Sequence, residues 1–143
     1  MECEFVQQMR NFIKVVADFT KQKVDILGHS LVSPIVRKAI LGGKCVQAQL
    51  KLTFQLQEQI KHPIFVFCLS LMPNINSVQR YEGSHIYSIY GTQDDKVGYL
   101  NLPCFTKNSQ INNSDQEFSN ATGNHDAILS GTIDLQMNLL NAH

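Results

Sequence analysis

The stretch Val24–Leu41, with the sequence VDILGHSLVSPIVRKAIL, constrains the fold of this chain more than any other. Its first four residues are mostly apolar and predict a strand, Gly28-His29-Ser30 predicts a sharp turn, and a helix is expected to begin at Ser33-Pro34. A strand, a sharp turn and a helix in this order can lift a serine hydroxyl clear of the backbone at the edge of a sheet. Ser30 is therefore the candidate nucleophile.

The turn matches one half of the pattern G-x-S-x-G. Strand and helix pass so close at such a turn that a β-carbon intrudes, which favours glycine on both sides of the serine. Gly28 stands at the first of these positions and Val32 at the second. The β-branched side chain of Val32 is expected to strain the turn or displace Ser30, at a typical cost of about 1–3 kcal/mol.

Length and composition predict one domain over residues 1–143. The chain has 143 residues, 43% of them apolar, which is enough for a core. A net charge of +0 with 17% charged residues argues against a surface for nucleic acid. The longest apolar run, Ile64–Met72, is too short to span a bilayer and predicts a short buried strand or another hydrophobic segment, followed by a loop from Pro73. The four cysteines show no C-x-x-C spacing, so no metal site is predicted.

Two helices are predicted on either side of the turn. The second has one apolar face, formed by residues such as Val36 and Ala39, and Gly42-Gly43 is expected to end it. Alternating apolar residues over 49–57 favour a strand, although a helix is also compatible with that segment. Core packing is the ordinary role of the apolar positions of the first helix, which are Phe5, Met9, Phe12, Ile13, Val16 and Phe19.

Two aspartates follow a later strand. His85–Tyr90 is rich in β-branched and aromatic residues and predicts a strand, and the next residues predict its loop. Catalytic groups in an open α/β sheet gather beyond the carboxyl ends of the strands. Asp94 is therefore the candidate acid and Asp95 the near alternative, while a pair of aspartates is also typical of a solvated turn.

A histidine lies between a predicted short strand at Glu117–Ser119 and a last helix. His125 is in a predicted loop, and Thr132 is expected to cap the helix that follows. This position makes His125 the candidate base. The other histidines have ordinary turn, loop, strand and tail explanations; they are His29, His62, His85 and His143.

These three side chains would together perform acyl transfer. His125 would take the proton of Ser30 as the hydroxyl oxygen attacks an ester carbonyl, and Asp94 would fix the imidazole tautomer. The backbone N–H of Leu31 would be one of two donors to the oxyanion. The order serine, aspartate, histidine along the chain is typical of one fold class of serine hydrolases.

Three stretches, VDILGHSLVSPIVRKAILGGKCV, INSVQRYEGSHIYSIYGTQDDKVGY and GNHDAILSGTIDLQMNLL, resemble the secreted lipase class 2 family, a roundworm-rich group of triacylglycerol lipases in the α/β-hydrolase superfamily. The resemblance implies an α/β fold with a mostly parallel sheet between helices in three layers. By that resemblance Ser30, Asp94 and His125 match the triad, and the pattern SIY-x-x-x-D selects Asp94 over Asp95. It also implies extracellular lipid ester hydrolysis, disulfides and no cofactor.

The resemblance also implies a truncated, incomplete three-layer fold. The chain begins at the helix before the turn, so the family's first strands and the loop with the second oxyanion donor have no expected counterpart. Losing one such donor typically costs about a hundred- to a thousandfold in rate. An exposed sheet edge would favour self-association. The first residues, from Met1 to Glu4, predict no secretion signal, and the extracellular location is implied by the resemblance alone.

Two functions are compatible with this sequence. The first is a lipase-like ester hydrolase in lipid catabolism, acting on a lipid or small ester through Ser30, Asp94 and His125. The second is a noncatalytic lipase remnant that binds a lipid or a partner. Val32 and the expected loss of an oxyanion donor argue against activity.

Overall fold

The computed structural model of the protein describes residues 3–43, 71–96, 100–101, 106–107, 110–120 and 123–142. These residues belong to two compact units, Met1–Glu82 and Gly83–His143. The first unit contains helices and the second contains both strands and helices, so the chain is of the mixed α/β type. The single domain expected over 1–143 stays a prediction.

The first unit contains the two helices predicted on either side of the turn. Helix α1 spans Cys3–Thr20, helix α2 spans Val32–Leu41, and the two pack against each other. The Nε atom of Arg10 in α1 donates a hydrogen bond of 2.8 Å to the carbonyl oxygen of Ala39 in α2. Gly42 follows α2 with φ +76°, a left-handed conformation that costs glycine little, and this confirms the predicted helix end.

The apolar side of α1 is only partly buried. Val6 is the buried residue of this helix, whereas Phe5, Phe12 and Phe19 are 59%, 65% and 89% exposed. The expectation of core packing is therefore wrong for these three aromatic side chains. Helical spacing shows which residues share a face, but the neighbour that covers a face must come from another part of the chain.

The strand expected at Val24–Leu27 does not form in the described part of the chain, where residues 23–29 have no regular secondary structure. Ile26 and Leu27 are exposed. A strand requires hydrogen bonds to the backbone of a second strand, and an apolar run cannot supply that partner by itself.

The segment 71–76 is helical, which corrects a second prediction. The sequence predicted the end of a strand at Leu71-Met72 and a loop from Pro73. Leu71 and Ile75 are buried four residues apart, a spacing that places both on one side of a helix. The predicted strand over 49–57 and the residues 64–70 lie outside the described residues.

Helix α2 buries two positive charges. Arg37 and Lys38 are both buried. Nη2 of Arg37 lies 2.8 Å from a carboxylate oxygen of Glu82 and donates to the amide oxygen of Asn76 over 3.0 Å. Nζ of Lys38 donates to the amide oxygen of Asn74 over 2.6 Å. Buried charges need such partners, so the polar residues of the segment 71–82 fix α2 in place.

Tyr81 lies beside this ion pair, with the guanidinium carbon of Arg37 5.9 Å from the centre of its ring. Burial raises the pKa of Tyr81 to about 12; the charge of Arg37 opposes the shift and that of Glu82 adds to it. Burial, with a smaller contribution from the charge of Arg10, lowers the pKa of Lys38. Because both pKa values are shifted, the stability of this unit changes with pH in the alkaline range.

The second unit contains a parallel pair of strands. Its strands in chain order are β1 Tyr87–Gly91, β2 Leu100–Asn101, β3 Thr106–Lys107 and β4 Gln116–Asn120. Strands β1 and β4 run parallel, from Tyr87 opposite Gln116 to Gly91 opposite Asn120, and β2 and β3 form a small antiparallel pair. The strands predicted at His85–Tyr90 and Glu117–Ser119 are confirmed. Because β1 and β4 are parallel, the segments that follow them start at the same edge.

Two short helices end the described chain. Helix α3 spans His125–Gly131 and helix α4 spans Ile133–Leu140. His125 is therefore the first residue of a helix and not part of a loop, which corrects the prediction. Thr132 precedes α4 but forms no capping bond to it; its hydroxyl donates to the carbonyl oxygen of Ile128 over 2.7 Å. The expected cap is wrong because an acceptor in the preceding helix is within reach of this hydroxyl.

Candidate active site

The loop after β1 and the start of α3 bring a carboxylate and an imidazole together. Oδ2 of Asp94 lies 2.8 Å from Nδ1 of His125, and the two side chains are 18% and 8% exposed. A neutral imidazole in this arrangement donates its Nδ1–H to the carboxylate, which leaves Nε2 as the accepting nitrogen. An imidazole held in this tautomer can act as a general base.

The two consecutive aspartates contact different parts of His125. Asp94 binds the ring, and its other oxygen accepts a hydrogen bond of 2.9 Å from the backbone N–H of Lys96. Oδ1 of Asp95 accepts a hydrogen bond of 3.3 Å from the backbone N–H of His125. Asp94 is therefore the aspartate in contact with the ring, and Asp95 contacts the backbone.

The first turn of α3 is fixed by two further contacts. The side chain of Asn124 accepts a hydrogen bond of 2.9 Å from the backbone N–H of Ala127, as a helix N-cap does. Nζ of Lys96 lies 2.6 Å from Oδ2 of Asp126, and the hydrogen bond to Asp126 raises the pKa of Lys96. His125 thus lies at the N-terminus of a capped helix.

Gly91, the last residue of β1, allows the strand to approach α3. A β-carbon built on Gly91 would overlap the carbonyl oxygen of Gly123 and lie 3.0 Å from the side chain of Ile128. The sequence pattern predicts Gly91 as the first residue of the loop after this strand and indicates no role for it in the site. A glycine at the end of a strand, shortly before Asp94, could have indicated the close approach, because glycine in a strand often marks a place where another backbone comes near.

Ser30 lies in the first unit, between the segment 23–29 and α2. Its φ is +57°, and its side chain is exposed. The backbone N–H groups of Val32 and Ser33 donate to the carbonyl oxygens of His29 and Ser30, each over 3.1 Å. A serine with positive φ is uncommon outside special turns, so the sharp turn predicted at this residue is confirmed.

Gly28 is required by a close approach within the same turn. A β-carbon at Gly28 would lie 2.9 Å from Cα of Ser33. Val32 is 44% exposed and is the first residue of α2, directly after Leu31. The structure thus shows crowding between Gly28 and Ser33, while the strain expected from Val32 stays a prediction.

The predicted site residues divide between the two units. Asp94 and His125 are in contact in the second unit. The residues of the turn belong to the first unit, and the complete triad stays a prediction; the turn residues are Gly28, Ser30, Leu31 and Val32.

Among the described residues, no group of three or more histidine, cysteine, aspartate or glutamate side chains is arranged to hold a metal ion. The described helices include none with the length and apolar character needed to cross a membrane.

Comparison with known families gives two overlapping matches to the family described as Lipase (class 2), over residues 1–68 and 64–138. No curated protein and no solved structure matches the chain. The first match contains the turn at Ser30, and the second contains both Asp94 and His125. Since the matches together cover all but the last few of the 143 residues, the chain belongs to the Lipase (class 2) family.

Proposed function

We propose that this protein is a lipase-like carboxylic ester hydrolase with a triad of Ser30, Asp94 and His125. The observation that carries the proposal is the hydrogen bond of 2.8 Å between Oδ2 of Asp94 and Nδ1 of His125. This bond selects the tautomer that a histidine base needs, and it occurs in a chain of a lipase family. The proposed fold is the three-layer α/β-hydrolase fold, which the family match supports.

The reaction would proceed through an acyl-enzyme. Nε2 of His125 takes the hydroxyl proton of Ser30 while Oγ bonds to the ester carbonyl carbon. The tetrahedral intermediate expels the alcohol, which receives that proton from His125. A water molecule then gives a proton to His125 and attacks the acyl-serine, and collapse of the second intermediate releases the carboxylic acid and returns the proton to Ser30. Asp94 stays ionised and stabilises the imidazolium in both steps.

The backbone at Ser30 supports its role as nucleophile. Its φ of +57° is the conformation expected of a serine on a sharp turn before a helix, which presents the hydroxyl to solvent. The N–H groups of Val32 and Ser33 are bonded within the turn, whereas the N–H of Leu31 donates to no backbone acceptor among the described residues. We therefore assign Leu31 N–H as one donor to the oxyanion.

A noncatalytic lipase-like protein that binds a lipid or a partner is the second candidate. The specific observation in its favour is Val32, a β-branched residue at the second small position of the turn. The Val32→Gly variant separates the two candidates by cause. A higher rate in this variant would identify Val32 as the defect of an otherwise competent site.

The proposed substrate is a lipid or a small ester, and the proposed location is extracellular. Cys3 is disulfide-bonded, and disulfides persist mainly in oxidising compartments. The other three cysteines lie outside the described residues. Self-association through a sheet edge is also a proposal, to be tested by measuring the mass of the protein in solution.

The decisive experiment is labelling of the folded protein with a fluorophosphonate, followed by peptide mass spectrometry. Cleavage after Lys23 and Arg37 gives a peptide that contains both Ser30 and Ser33. Ser30→Ala should abolish the label and Ser33→Ala should keep it. His125→Ala should also abolish the label, because the hydroxyl then lacks its base.

Each outcome decides between the candidates. Label on Ser30 that requires His125 supports the hydrolase. A folded protein that takes no label, both as the wild type and as the Val32→Gly variant, contradicts the hydrolase and favours the noncatalytic candidate.

A further inference from the structure

Three consecutive residues after β1 contact the first two residues of α3. Asp94 binds the ring of His125 at 2.8 Å, and Asp95 accepts the backbone N–H of His125 at 3.3 Å. Nζ of Lys96 lies 2.8 Å and 2.6 Å from the two carboxylate oxygens of Asp126. We call these three contacts of residues 94–96 the clasp.

We propose that Asp95 is a positioning residue for His125, holding its backbone while Asp94 holds its ring. The catalytic consequence of this inference rests on the proposed function, but the positioning itself does not. The first N–H groups of a helix have no acceptor within the helix, so they need one from outside. Asn124 supplies the acceptor for Ala127, and Asp95 supplies it for His125.

The physical effect of Asp95 is to remove freedom from the residue that carries the imidazole. A side chain bonded only at its ring can still move with its backbone, and a misplacement of about 1 Å can cost roughly a hundredfold in rate. A carboxylate beside a helix start is also electrostatically favourable. Two carboxylates at two points of His125 therefore fix both the backbone and the ring.

The third contact of the clasp contributes less. The side chains of Lys96 and Asp126 are 53% and 72% exposed. An exposed ion pair gains little because water and salt screen it. Within the clasp, the positioning role therefore belongs to Asp95, whose bond to His125 is partly buried.

The test compares Asp95→Ala and Asp95→Asn with the wild-type protein. The asparagine oxygen can still accept the N–H of His125, whereas alanine cannot. We expect the backbone amide of His125 to exchange with solvent at least about tenfold faster in Asp95→Ala than in the wild type, and near the wild-type rate in Asp95→Asn. The NMR signal of the His125 Nδ1 proton should broaden in Asp95→Ala and be restored in Asp95→Asn.

Asp115→Ala is the matched control. Oδ2 of Asp115 accepts the backbone N–H of Ile86 over 2.7 Å, so this variant also removes a carboxylate from a backbone N–H in the same unit. It should lower stability without changing the exchange of the His125 amide or the Nδ1 signal. A change of the same size in the control would show a general loosening and overturn the role of Asp95.

Kinetics separate this inference from the proposed function. On an active wild-type enzyme, Asp95→Ala should lower kcat about ten- to hundredfold with little change in KM, and Asp95→Asn should recover most of it. If the wild type has no turnover but the exchange depends on Asp95, the positioning role stands and the hydrolase fails. If turnover is present and neither kcat nor exchange responds to Asp95→Ala, the hydrolase stands and the positioning role fails. Should Asp95→Ala not fold, an unprotected His125 amide in the wild type overturns the inference and a protected one supports it.

Discussion

At the scale of single residues, neighbouring side chains of the same chemical type have different roles. Asp94 and Asp95 are both carboxylates in one loop, yet one contacts the imidazole of His125 and the other its backbone. Their order in the sequence does not determine this division, because either carboxylate could turn toward the ring. The loop geometry, fixed in part by the bond from the Lys96 N–H to Asp94, decides it.

Asp94→Asn should lower kcat by up to about ten-thousandfold with little loss of stability, as the matching change does in other triads. The asparagine amide donates to Nδ1 and so favours the wrong tautomer of His125. The measurement is steady-state hydrolysis of a soluble chromogenic ester. Asp95→Asn is the control, and a larger loss in that variant would make Asp95 the acid.

At the scale of elements, the site depends on how closely β1 approaches α3. Gly91 ends the strand, and its lack of a side chain lets the Gly123 carbonyl and Ile128 approach. The parallel pairing of β1 and β4 brings the loop with Asp94 and the segment before α3 to one edge of the sheet. The close approach at Gly91 sets the distance between β1 and α3.

Gly91→Ala should therefore destabilise the second unit by about 1–3 kcal/mol, as overpacking typically does. It should also move α3 and reduce the fluorophosphonate labelling of Ser30. Denaturant unfolding measures the first effect. Gly131→Ala is the control, since a β-carbon there would meet nothing within 4 Å. Equal stability of the two variants would contradict the close approach.

The raised pKa of Tyr81, which lies beside Arg37 of helix α2, predicts that the free energy of unfolding depends on pH. Since the pKa of Tyr81 is raised to about 12 in the folded state, the folded protein keeps this proton in a range where the unfolded chain loses it. Its contribution to stability is complete below the ordinary tyrosine pKa of about 10 and is lost as the pH rises toward 12. Tyr81→Phe should remove this loss.

The measurement is the free energy of unfolding of wild type and Tyr81→Phe between neutral pH and about pH 12. The lowered pKa of Lys38 acts in the opposite direction, since stability then rises as the pH approaches the ordinary lysine pKa. Lys38 is present in both proteins, so its effect cancels in their difference. At neutral pH Tyr81→Phe should change the stability little, because phenylalanine keeps the ring that lies beside the guanidinium of Arg37. A constant difference across this pH range would contradict the raised pKa.

At the scale of the whole molecule, the family matches together span both units. Cys3, the first residue of α1, is disulfide-bonded. A cross-link stabilises a protein mainly by restricting its unfolded chain. A chain whose first helix is only partly buried should depend on such a constraint. The disulfide of Cys3 is therefore expected to stabilise the chain.

Cys3→Ser should lower the stability of the protein by about 2–5 kcal/mol, the usual effect of losing a native disulfide. The measurement is thermal unfolding followed by circular dichroism. Lys14→Ala, an exposed substitution in the same helix, controls for the effect of mutation itself. An unchanged Tm in Cys3→Ser would show that this disulfide does not support the fold.

Local elements could be predicted from the sequence: both helices around Ser30, the turn between them, and strands β1 and β4. Periodicity, β-branched composition and turn glycines act over a few residues, so they can be read without knowing the fold. Four features became visible in the folded molecule: the burial of Arg37 and Lys38, the exposure of the α1 phenylalanines, the helical form of 71–76 and the close approach at Gly91. Each of these depends on which distant segment lies against a residue, and local sequence does not contain that information.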